Sequence, residues 1–172
     1  MFLSIFARRR MLEEKKTLFR NFIFGVEDSL VSTVGLLSGV AAAGTGRASI
    51  ITTGVVLIFV EAFSMGVGSF LSEETSQEST KKNFSKVSVF KAAVVMFVSY
   101  FLAGFIPLSP YVFTDTHAES LSILFSLLSL MGLGVYSAVK FKGNILRKAV
   151  EMLLLGGLAT GVGIGIGYLL QI

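Results

Sequence analysis

The chain has no cysteine and no tryptophan, two prolines and one histidine in 172 residues, and only 15% of its residues are charged. Without cysteine, a disulfide scaffold, a thiolate-held zinc site and thiol catalysis are excluded. The shortage of charge, against about 25% in an ordinary soluble domain, leaves too little to cover a water-facing surface. A hydrophobic content of 53% excludes intrinsic disorder. Enzyme signals are missing too. No glycine-rich phosphate loop with a lysine occurs, no histidine pairs with a carboxylate inside one apolar segment, and no serine–histidine constellation is present. The chain therefore reads as a non-enzymatic integral membrane protein with no resident cofactor, built as one compact domain.

What is present is a set of long apolar runs and a strongly patterned positive charge. Five segments are apolar enough to cross a hydrocarbon layer: 21–43, 48–72, 87–113, 119–139 and 149–172. About 20 residues at 1.5 Å rise span the roughly 30 Å core. Backbone groups in lipid must be satisfied within the segment, and period-two alternation is absent, so an all-α, five-helix polytopic architecture is expected. The net charge of +4 needs no nucleic acid to explain it. Fourteen of the fifteen basic residues fall in the N-terminal arm, in the second-to-third connection (Lys81, Lys82, Lys86, Lys91) or in the fourth-to-fifth connection (Lys140, Lys142, Arg147, Lys148). Only Arg47 sits on the other side. This bias predicts a cytoplasmic N-terminus and an outside C-terminus, as five spans require. Residues 1–20 read either as a basic amphipathic arm on the lipid surface, with Phe2, Leu3, Ile5 and Phe6 against Arg8, Arg9 and Arg10, or as a solvated tail. The transmembrane domain is then 21–172.

Acids at membrane depth are costly, which makes Asp28 and Glu61 functional candidates. Gly25, Asp28, Ser32, Gly35 and Gly39 recur at helical steps and form one small, polar face of the first helix. Asp28 is therefore expected to face protein. Glu27 points elsewhere and reads equally as a partner of the helix dipole at headgroup level. On the second helix Glu61, Met65, Gly68 and Ser72 share a stripe. Carboxylate oxygen beside a thioether suits Mn²⁺ or Fe²⁺ better than Mg²⁺ or Ca²⁺. Asp28 and Glu61 are also the candidates for proton coupling. Glu74 and Glu78, one turn apart, form either a cation-collecting patch or helical pairs with Lys81 and Lys82. Pro107 is expected to kink the third helix near its outer end and Pro110 to help end it. Gly35 and Gly39, together with Gly157, Gly161 and Gly165, are expected to let helices approach closely, and Ala159, Gly163 and Gly167 make a second small face.

Four ordered motifs carry a resemblance. The run Gly25-Val26-Glu27-Asp28-Ser29-Leu30-Val31-Ser32-Thr33 resembles the first helix of the vacuolar iron transporter family, whose usual start is Gly-x-x-Asp-Gly. Ser64-Met65-Gly66 resembles its second-helix motif, Pro107-Leu108-Ser109-Pro110-Tyr111 its third-helix end, and Arg147 to Gly157 its fifth-helix start. The resemblance implies a homodimeric transporter that moves Fe²⁺, and often Mn²⁺, out of the cytosol in exchange for protons. It implies an ion path at the dimer interface, lined by the residues matching Asp28 and Met65. Two departures stand out. Ser29 replaces a glycine, and the connection from Glu73 to Val87 is too short for the large cytoplasmic metal-binding domain of the best-known branch. Glu61 has no match in the family pattern, and its role rests on the cost of a buried carboxylate alone. The expected membrane is a prokaryotic inner membrane, or a vacuolar membrane of equivalent sidedness. The rival readings are a membrane scaffold assembled through the glycine faces and a proton-coupled exporter of organic cations.

Overall fold

A computed structural model describes residues 2–80 and 86–171, with side chains for Arg8, 11–76 and 86–171. Among these residues the chain forms five α-helices and no strand: α1 (Phe2–Ala42), α2 (Arg47–Thr80), α3 (Lys86–Phe113), α4 (Ala118–Phe141) and α5 (Ile145–Leu170). All five are long and apolar enough to cross a membrane. The expected all-α, five-span architecture is what the chain adopts.

The helices run past the apolar segments at one end of the bundle. α1 is continuous from Phe2 through the whole basic arm, because no glycine or proline interrupts it before Gly25. α2 likewise continues through Glu73 and Glu74 to Thr80. The two extensions are pinned by polar contacts. Arg20 Nη2 donates to Glu73 Oε1 at 2.5 Å, and Lys91 Nζ donates to Glu14 Oε1 at 3.2 Å. Asn21, only 4% exposed, donates through Nδ2 to Ser69 Oγ and to the Ala92 carbonyl, tying α1 to α2 and α3.

α3 is helical through both prolines and ends at Phe113, so Pro110 does not stop it. A proline at 110 leaves the Ile106 carbonyl without its helical donor, and Ser109 Oγ donates to that oxygen at 2.8 Å. Ser122 Oγ on α4 donates to the Pro107 carbonyl at 2.6 Å and fastens α4 to the same stretch. At the far end Arg47 closes α3. Its Nε donates to the Tyr111 carbonyl at 2.6 Å and its Nη2 to the Val112 carbonyl at 2.7 Å, while Nη1 pairs with Asp115. The lone basic residue at this end thus satisfies carbonyls that a helix C-terminus leaves open.

The core has two centres. Leu37, Ile50, Ile58, Leu108 and Tyr111 pack α1 against α2 and α3. Leu30, Ala103, Leu130 and Met152 join α1 to α3, α4 and α5. Glycines set the closest approaches. A Cβ on Gly39 would lie 2.7 Å from the Gly163 carbonyl oxygen, and one on Gly35 would lie 3.1 Å from that of Ala159. Gly163 and Gly167 return the contact against the backbone of Gly35 and Gly39. The α5 face that meets α1 is therefore Ala159, Gly163 and Gly167. Gly157, Gly161 and Gly165 have nothing within 4 Å of where a Cβ would stand, so among the described residues they pack against no other helix. The repeated GxxxG lies on the other side of α5 and faces outward.

Candidate functional site

Asp28 on α1 and Glu61 on α2 come from different helices of the bundle. Both are half-buried, and each lies within electrostatic reach of the other. The α1 register explains Asp28. Leu30, Val34 and Leu37 are fully buried, while Phe24 and Leu36 are exposed, which turns the small face with Asp28 toward protein at the α1–α5 seam. Asp28, Ser32, Gly35 and Gly39 line one side of a groove of about 630 Å³ between α1 and α5. Leu158, Val162 and Ile166 form much of its other wall.

Tyr100 on α3 meets the same α1 face through Ser32. Its side chain has no exposure, its hydroxyl lies 2.7 Å from Ser32 Oγ, and both Asp28 and Glu61 act on it electrostatically. The backbone around it is fixed, since Ser29 Oγ donates to the Tyr100 carbonyl at 2.6 Å. Sequence reasoning did not single out Tyr100, because a tyrosine within an apolar run reads as ordinary packing or a belt residue. The available signal was the polar face of α1, whose Ser32 is a hydroxyl at membrane depth and calls for a hydrogen-bond partner.

The other candidates are placed less centrally. Met65 is half-buried one turn beyond Glu61 on the same α2 stripe. Glu74 is half-buried on the α2 extension, next to Glu73, which is held by Arg20. The side chain of Glu78, like Lys81 and Lys82, lies outside the described residues. Glu27 does not share the Asp28 groove. It lines a separate pocket of about 390 Å³ with Phe19, Arg20, Phe24 and Phe141, where Lys148 attracts it and Asp28 repels it. Among the described residues no group of three or more His, Cys, Asp or Glu converges as a metal cage. One copy of the chain thus offers Asp28 and Ser32 to the α1–α5 groove and a second half-buried carboxylate, Glu61, on α2.

A family model described as VIT family matches residues 19–89 and 82–168. The chain belongs to the VIT family. Similar proteins include "Vacuolar iron transporter homolog 4" of Arabidopsis thaliana, 25% identical over 161 residues, which cover 85% of this chain and 80% of that one. "Vacuolar iron transporter homolog 1" of Oryza sativa subsp. japonica is 27% identical over 165 residues, covering 86% and 71%. "Vacuolar iron transporter homolog 1" of Arabidopsis thaliana is 27% identical over 164 residues, covering 88% and 82%. Within this VIT family chain, the geometry accounts for the serine that follows Asp28. Ser29 is fully buried, and a Cβ on Gly104 would lie 3.0 Å from its Oγ. The added hydroxyl is accommodated because α3 presents a glycine opposite it and offers the Tyr100 carbonyl as acceptor.

Proposed function

We propose that this VIT family chain moves divalent iron or manganese out of the cytosol by proton antiport. The observation that carries the reading is two half-buried carboxylates on membrane-spanning helices, Asp28 on α1 and Glu61 on α2, within electrostatic reach of one another. Two carboxylates held within repulsive reach at membrane depth favour a shared proton or a divalent cation between them. The names of the relatives support iron as cargo. Glu74 and Glu78 receive the ion at the cytoplasmic mouth, Asp28, Glu61 and the Met65 thioether hold it, and protons return through Asp28 or Glu61.

A divalent transition ion takes four to six ligands. A second copy seated across the Asp28 groove doubles the acid count, so the working unit is a homodimer in the bilayer. The basic end of each copy faces the cytosol, in a cell membrane or in that of a storage compartment. The scaffold reading is disfavoured by the same two acids, because an assembly surface has no use for half-buried carboxylates at membrane depth.

The test is Mn²⁺ and Fe²⁺ flux into proteoliposomes. Asp28→Ala is expected to lower the rate at least about tenfold, as loss of a charged ligand implies. Flux equal to wild type removes the site. Glu61→Gln is expected to flatten the dependence of flux on a pH gradient, and an unchanged dependence removes Glu61 from proton coupling. The width and apolar lining of the α1–α5 groove favour one other cargo, an organic cation. Inhibition of Mn²⁺ flux by tetraphenylphosphonium at low micromolar concentration would select that reading.

A further inference from the structure

A groove of about 490 Å³ runs along α3 against α1, and neither Asp28 nor Glu61 lines it. Phe22 and Val26 of α1 and Val94, Val98, Leu102 and Ile106 of α3 form its walls. Val94, Val98 and Leu102 are exposed, so the groove opens outward, onto lipid when the helices span a membrane. Its polar lining is Ser99, and that hydroxyl is already taken up by its own helix, by the Val95 carbonyl at 2.6 Å and the Met96 carbonyl at 3.0 Å. The walls therefore suit hydrocarbon. From Val94 to Ile106 the helix rises about 18 Å at 1.5 Å per residue, a little more than one leaflet of a roughly 30 Å hydrocarbon core. Positive charge gathers at the mouth, toward the basic end of the bundle. Lys91 stands one turn before Val94 and Val95 on the same face of α3. Its Nζ pairs with Glu14 at 3.2 Å and the side chain stays more than half exposed. Phe22 joins the groove to an aromatic cluster, its ring centroid 6.4 Å from those of Phe19 and Tyr136. Lys140 Nζ lies 6.0 Å from the Phe19 centroid, and among the described residues no carboxylate pairs with it. Two lysines against Glu14 leave a net positive charge at the mouth, while Glu27 opens on a different pocket.

We propose that this groove binds one acyl chain of an anionic phospholipid, and that Lys91 and Lys140 hold its phosphodiester at the mouth. The arrangement follows the order of a leaflet, with hydrocarbon inward and phosphate at the surface. A phosphodiester carries one negative charge and matches the excess that the two lysines leave over Glu14. Basic residues at the end of an intramembrane groove select anionic over zwitterionic lipid, by about fivefold for each lysine. The lysine stems lie on apolar surface and extend their ammonium groups to the phosphate. The lipid site is separate from the acids at 28 and 61, so Asp28→Ala is expected to keep it.

The test is native mass spectrometry of the full-length protein from detergent micelles holding phosphatidylglycerol and phosphatidylcholine with matched chains. Wild type is expected to retain phosphatidylglycerol over phosphatidylcholine by at least about fivefold. Lys140→Gln is expected to lower that preference about fivefold, and Lys91→Gln by at least as much, because it also leaves Glu14 unpaired at the mouth. Val98→Trp, at an exposed position on the groove wall, is expected to fill the groove and abolish retention of phosphatidylglycerol. Leu128→Trp, exposed on α4 and outside the groove, is expected to retain it as wild type does. Equal retention of the two lipids in wild type marks ordinary boundary lipid and overturns the proposal. So does wild-type retention in Val98→Trp, and so does displacement of the lipid by inorganic phosphate, which marks a free-anion site. A dimer that falls to monomer in Val98→Trp with lipid retention unchanged assigns the groove to a second copy instead. If Val98→Trp does not fold, the lipid preference of Lys140→Gln decides, and a preference equal to wild type overturns the site.

Discussion

Arg47 looks from the sequence like the one exception to a charge rule, and in the structure it is a helix cap. Its fork meets two α3 carbonyls and Asp115 at once. Arg47→Met is expected to lower stability by about 1–3 kcal/mol, because it strands acceptors that a charged donor had satisfied. Thermal unfolding in detergent reads this as a lower midpoint. Arg47→Lys is expected to recover less than half of the loss, since an ammonium cannot reproduce the planar fork. The acids at 28 and 61 were legible as expensive residues in apolar runs. Tyr100 was not, because its importance depends on which face of α3 meets α1, and no local pattern states that. Glu27 and Asp28 are adjacent in sequence yet open on different pockets, a separation that helical geometry alone predicts and the structure reproduces.

At the scale of elements, hydropathy located every span, since apolar runs of this length have few alternatives. Hydropathy alone starts the first span at 21 and ends the second at 72, whereas α1 starts at Phe2 and α2 runs to Thr80. A helical arm over 1–20 is one of two readings of that segment, and the one-turn spacing of Glu74 and Glu78 already carries the second helix past its apolar segment. Outside lipid a helix carries no hydropathy signal, and only the absence of breakers marks it. The glycines on α5 illustrate a second limit. Two small faces lie on one helix, and sequence spacing cannot say which is covered. The structure covers Gly163 and Gly167 and leaves Gly161 open. Gly163→Leu is therefore expected to drive α5 from α1 and cost about 1–3 kcal/mol or more, as overpacking does. Gly161→Leu is expected to leave the stability of a single copy within about 0.5 kcal/mol of wild type. Unfolding of the two variants side by side checks the assignment, and a larger loss at 161 than at 163 would reverse it.

For the whole molecule, the absence of cysteine becomes an experimental advantage. Any introduced thiol is the only one in the chain, so crosslinking reports copy-to-copy distance without background. If the Asp28 groove is where two copies meet, Leu36→Cys, on the groove wall, is expected to form a disulfide-linked dimer in oxidised membranes. Leu102→Cys, exposed on α3 and outside that groove, is expected to remain monomeric. The opposite result would move the interface. A last consequence lies in the length of α1. Its 41 residues at 1.5 Å each make a rod of about 60 Å, twice the hydrocarbon thickness. Asp28 is embedded in that rod and Arg20 couples it to a second one. The part that projects from the bilayer is a lever with no joint between handle and load. A force applied there, from lipid or a neighbouring chain, is expected to reach the Asp28 carboxylate, because α1 is unbroken between them.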